Sequence, residues 1–186
     1  MFEQFIKDCY DEAVNLKERF KITENKPWTA LTVTNEMIVQ LGHYCFIICN
    51  TDYTEEKGRN ITNPKDELAD ILLQLCALCN KLNIKKEKIL RYEVTFDNIS
   101  DAILMFNVLL GQITESIMEL EGYRHNKSRK GYSTKEDFIV ERINKCFSIV
   151  FSISEQQNYN MINEFYKMKE NAISFLKNYE EVSKNV

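Results

Sequence analysis

Almost nothing in this chain interrupts a helix. Only five glycines and two prolines occur in 186 residues, and these are the residues that most strongly punctuate regular structure. Between them, apolar residues recur every three or four positions. Phe2, Phe5, Ile6, Cys9, Ala13, Leu16 and Phe20 share one face of a helix whose other face is charged. The period returns from Thr29 or Thr32 to about Asn50, from Asn63 to about Leu82, over 99–121, over 135–154 and over 160–181. A short helix is expected over 85–93. Asn63 is read as a helix cap with Pro64 in the first helical position, where its missing N–H costs nothing. Asp97 or Asn98 is expected to cap the helix that follows. Strand-like alternation is confined to Glu93–Phe96. The fold class predicted is all-α.

The charge of −4 is mild and no polybasic arm is present, so nothing electrostatic points to nucleic acid. No apolar run is read as long enough, at about 18–20 residues, to cross a bilayer. The amino terminus has acids where a signal peptide would carry lysines. These features predict a cytoplasmic protein with neither a nucleic-acid nor a membrane partner. The six cysteines, 9, 45, 49, 76, 79 and 146, are expected to be small reduced core residues. Cys76 and Cys79 form a CxxC inside an apolar helix, without the glycine-containing knuckle of a zinc ribbon.

Polar residues interrupt the apolar faces in a pattern. Glu36, Gln40 and His43 stand one turn apart along one helix, and Glu67 and Asp70 one turn apart on the next. If those helices are antiparallel neighbours, the two columns meet. Buried carboxylates are costly unless paired or bound to a cation, and an oxygen-rich set suits Mg²⁺ or Mn²⁺. An ExxD in the first turns of a helix equally suits the positive end of the helix dipole.

The pattern then restarts. Gln40 and His43 superimpose on Gln112 and Glu115, and Glu67 and Asp70 on Glu141 and Asn144. The reading is one domain, 1–186, in which a first helix hairpin (27–95) and a divergent second copy (97–182) close a four-helix core with flanking helices. Two related hairpins can bury apolar faces that one cannot bury alone.

The segments PWTALTVTNEMIVQLGHYCFI and NPKDELADILLQLCALCNKLNI resemble the MazG-like members of the all-α NTP pyrophosphohydrolase superfamily. The likeness covers about residues 27–85 well and 99–160 faintly. Such proteins carry ExxE on one helix and ExxD on the next, often after a tryptophan. Trp28, Gly42, Glu67 and Asp70 match, but Gln40 and His43 stand where the ExxE acids belong. In the second copy, Gln112, Glu115, Glu141 and Asn144 are again only half acidic. The resemblance implies Mg²⁺-dependent cleavage of an NTP or dNTP at the α-phosphate, giving the monophosphate and pyrophosphate. It implies Gln40, His43, Glu67 and Asp70 as the metal set and Glu36 and Glu67 as catalytic acids. Arg59, Lys65, Arg124 and Lys127 are basic loop residues placed to neutralise phosphates, with Arg129 and Lys130 beside them, and Trp28 could stack on a base. The missing acids leave open a bundle that binds a nucleotide or a protein partner without turnover. Relatives pair as dimers, so a tandem copy implies a homodimer or a pseudo-dimer within one chain.

Overall fold

The structure, a computed structural model, describes residues 2–49, 63–125 and 130–183. The described residues form an all-α helical bundle of six helices: α1 (Phe2–Phe20), α2 (Ala30–Cys49), α3 (Pro64–Lys81), α4 (Ile99–Leu120), α5 (Lys135–Gln156) and α6 (Met161–Ser183). Arg59, Lys127 and Arg129 lie outside the described residues.

The starts of α2 to α5 are fixed by side-chain caps. Thr29 and Thr32 exchange hydrogen bonds, Thr29 N to Thr32 Oγ1 at 2.7 Å and Thr32 N to Thr29 Oγ1 at 3.3 Å. Asn63 accepts from the amide of Lys65 at 3.2 Å, Asn98 from Asp101 at 3.0 Å and Thr134 from Asp137 at 3.0 Å. Two ends close alike: Asn83 and Asn158 both take φ 55°, and the next amide reaches back, Ile84 to Cys79 O at 2.8 Å and Tyr159 to Ser154 O at 2.7 Å.

α3 is the centre. Leu68, Ala69 and every residue from Ile71 to Cys79 are buried, so the helix is covered on nearly every side. α2, α1, α6 and α5 all pack on it, and α2–α3 and α4–α5 are the most intimate pairs. Both pairs are antiparallel. His43, late in α2, meets Glu67, early in α3, while Glu119, late in α4, pairs with Lys135, the first residue of α5. α1 and α6 run alongside each other in the same direction. Phe5 meets Phe165, Glu12 meets Lys169 and Phe20 stacks on Phe175.

The short helix expected over 85–93 is not formed. Lys86–Lys88 make one 3₁₀ turn and the chain then runs extended to Phe96. The reason lies on α5. Asn144 accepts from Leu90 N at 3.2 Å and donates to Lys88 O at 3.0 Å, and Ser148 accepts from Tyr92 N at 2.9 Å. Alternate backbone groups are thus bound to a neighbouring helix, leaving the segment no reason to coil. Another difference concerns α4. By length and composition alone it could cross a membrane. Here it packs on α5 and α2 through Ala102, Phe106, Leu110, Ile113 and Ile117.

Cys9, Cys76, Cys79 and Cys146 are free and fully buried. Burial pushes each thiol upward, away from the reactive thiolate.

Candidate functional site

A line of hydrogen bonds crosses from α2 to α3. Gln40 Nε2 donates to Glu36 Oε1 at 3.0 Å. Gln40 Oε1 lies 3.3 Å from His43 Nδ1, and the same nitrogen lies 3.2 Å from Glu67 Oε2. Both of those oxygens are acceptors, so Nδ1 carries the proton. The His43 and Glu67 side chains are only 14% and 12% exposed.

Beside this line lies a cavity of about 710 Å³, within the range of small-molecule sites. α3 lines one wall with Asp66, Asp70 and Gln74, spaced four residues apart and so on one face. α2 contributes Glu36 and Gln40. Phe20, Trp28 and Phe175 supply apolar rings from α1, the entrance to α2, and α6. His43 and Glu67 are not among the lining residues; they brace the wall from behind.

The cavity is acidic. Burial first, then the neighbouring Glu67, Asp66 and Glu36 carboxylates, push Asp70 up to about 7, against an opposing pull from Lys17. Lys17 is the one cation among the described lining residues. Burial brings it down to about 8, although Glu24, Glu36 and Asp70 favour its charged form. Its ammonium sits 3.7 Å from the centroid of the Trp28 ring. Two buried oxygens in the wall, Asp66 Oδ1 and Gln74 Oε1, have no hydrogen-bond partner, an unusual state for buried polar atoms.

Among the described residues, no group of three or more His, Cys, Asp or Glu side chains stands ready to hold a metal ion. The carboxylates that face the cavity are Glu24, Glu36, Asp66 and Asp70. That chemistry fits Mg²⁺, which keeps several waters and takes one or two protein carboxylates beside substrate phosphates.

The second set behaves differently. Gln112 accepts from Arg142 Nε at 3.1 Å, and Arg142 also bonds the Tyr132 hydroxyl and lies 3.2 Å from Glu141. Lys145 reaches Glu141 at 2.6 Å. Burial alone would raise the Glu141 pKa, but hydrogen bonds from Lys145 and Tyr132 and the Arg142 charge bring it below the usual range. Glu115 pairs with Arg124 at 3.2 Å. Asn144 bonds the backbone of Lys88 and Leu90. In the α4–α5 pair, the Arg142 guanidinium thus stands among Gln112, Tyr132 and Glu141.

Of the basic residues, Lys65 lies 3.7 Å from Glu164 and 5.2 Å from the Tyr159 ring centroid. Lys130 is exposed. Asp66, Gln74, Lys17, Phe20 and Phe175 are additions that motif reading did not supply. The spacing 66, 70, 74 is itself a helical signal, whereas the α1 and α6 residues arrive only through tertiary packing. Compared with known proteins, the chain matches no family model, no curated protein and no solved structure.

Proposed function

We propose that this protein is a divalent-cation-dependent nucleotide pyrophosphohydrolase of the MazG-like type, acting in the cavity between α1, α2, α3 and α6. The observation that carries the reading is the convergence of Glu36 from α2 and Asp66 and Asp70 from α3 on one cavity that aromatic rings also line. Carboxylates and flat rings lining one cavity suit a ligand with a metal-bound polyphosphate and a heterocycle.

Asp66 and Asp70 would hold one Mg²⁺, with Glu36 facing them. Such an ion supplies charge neutralisation on the triphosphate and a polarised α-phosphorus. Glu36, oriented by the Gln40 amide, accepts the proton of the attacking water. Lys17 offsets negative charge beside Asp70. His43 and Glu67 hold α2 and α3 in register, and Trp28, Phe20 and Phe175 receive the base. The test is pyrophosphate release from each NTP and dNTP with Mg²⁺ or Mn²⁺. The reading expects turnover that Asp70→Asn reduces by 100-fold or more, an order of magnitude typical of lost charge stabilisation. No cleavage of any nucleotide contradicts it.

One observation favours a second reading, a nucleotide-binding bundle without turnover: Glu67, an acid of the ExxD pair, is hydrogen-bonded to His43. Under that reading Mg²⁺ plus nucleotide raises the melting temperature with no product formed.

A further inference from the structure

Gln74 is 4% exposed, lines the cavity and leaves its side-chain carbonyl without a partner. A buried amide oxygen without a hydrogen bond loses the free energy of its hydration. A partner arriving with a ligand restores it, and a site built that way discriminates strongly against ligands lacking the donor.

Its place along α3 says which part of a ligand it meets. Asp66, Asp70 and Gln74 form a ladder with successive rungs about 6 Å apart. Trp28 also lines a smaller cavity with Ala77, Asn80 and Lys81, at the carboxyl end of α3. The indole therefore lies on the far side of Gln74 from Asp66. Phe20 and Phe175, stacked with centroids 6.3 Å apart and an interplanar angle of 23°, line the same cavity. A carboxamide lining the same cavity as these rings is placed to meet the edge of a planar group seated on them.

We propose that Gln74 is the specificity-determining residue of this cavity, its side-chain carbonyl accepting a hydrogen bond from an in-plane N–H of a nitrogen heterocycle seated against Trp28, Phe20 and Phe175. This rests on the nucleotide reading above and adds the atom that recognises the base. The carboxylates then take the metal-bound phosphates and Gln74 takes the ring, so one helix face reads both ends of the ligand. The chemistry selected is a base with a ring or exocyclic N–H donor, not a particular sugar.

The test removes only that donor. Dissociation constants are measured by calorimetry in Mg²⁺ for the α,β-imido analogues of CTP and of its 4-deamino counterpart, 2-pyrimidinone riboside triphosphate, with inorganic tripolyphosphate as a ligand lacking any base. The wild-type protein is expected to bind the cytidine analogue about tenfold more tightly than the deamino one, the order of magnitude of one unsatisfied buried acceptor. Gln74→Leu and Gln74→Met are expected to bring the two within about twofold and to leave tripolyphosphate affinity unchanged. Equal affinities in the wild-type protein, a comparison that needs no variant to fold, overturn the role of Gln74 while leaving the nucleotide reading standing. A preference that survives both substitutions overturns it too. Failure of both nucleotides and tripolyphosphate to bind removes the two readings together.

Discussion

Nδ1 of His43 and Oε2 of Glu67 lie 3.2 Å apart across the α2–α3 contact, joining positions 24 residues apart in the chain. The contact fixes the facing of two polar columns that otherwise sit on separate helices. Removing the imidazole takes one hydrogen bond from a largely buried carboxylate, a change worth about 1–3 kcal/mol. His43→Ala is therefore expected to lower stability by that amount in urea titration, and Glu67→Gln by less, because its amide oxygen still accepts from Nδ1. Equal stability of His43→Ala and wild type would show the pair to be idle.

Asp70 gives a pH signature. Its folded pKa of about 7 lies above the ordinary carboxyl value of 3.8. The native state then binds the proton more tightly than the unfolded chain, so its contribution falls as pH rises from about 4 to 7 and is fully unfavourable above 7. The full shift would correspond to about 4 kcal/mol, and partial solvent access reduces this to about 1–3 kcal/mol. Without divalent cations, Asp70→Asn should raise the melting temperature by several degrees at pH 8 and scarcely change it at pH 4.5. A gain of equal size at both values would deny the carboxylate its buried, charged state.

Metal binding should run the opposite way. A cation must displace the proton that Asp70 holds near neutrality. Thermal stabilisation by Mg²⁺ with a non-hydrolysable nucleotide is expected to grow between pH 6 and pH 8 and to disappear in Asp70→Asn. Stabilisation that is independent of pH, or intact in the variant, would place the ion elsewhere.

Asn144 makes a prediction separate from catalysis. Its carboxamide satisfies both the amide of Leu90 and the carbonyl of Lys88. Asn144→Ala unpairs two backbone groups and should cost about 2–3 kcal/mol, with hydrogen exchange of the Leu90 amide accelerating more than that of the α3 amides. Unchanged protection at Leu90 would contradict the strap.

Helices were legible because their signals are local. The caps at Asn63 and Asn98, the scarcity of glycine and the three-to-four spacing all act within one or two turns. The 85–93 segment was misread because its conformation is decided by Asn144 and Ser148, more than fifty residues away. The site was half legible for the same reason. Glu36, Gln40, His43, Glu67 and Asp70 lie on two consecutive helices, and spacing alone brings them onto facing columns. Spacing could not show that His43 and Glu67 pair with each other, or that Lys17, Phe20 and Phe175 complete the cavity. Nor could it show that Arg142 sits among Gln112, Tyr132 and Glu141 in the second hairpin.

The central claim is that water in this cavity attacks the α-phosphorus of a nucleoside triphosphate. Turnover in ¹⁸O-labelled water, read by ³¹P NMR, tests it most directly. The account predicts the label in the nucleoside monophosphate and none in the pyrophosphate, with the signal lost in Asp70→Asn. Label in inorganic phosphate or pyrophosphate, or no labelled product from any nucleotide, would contradict it.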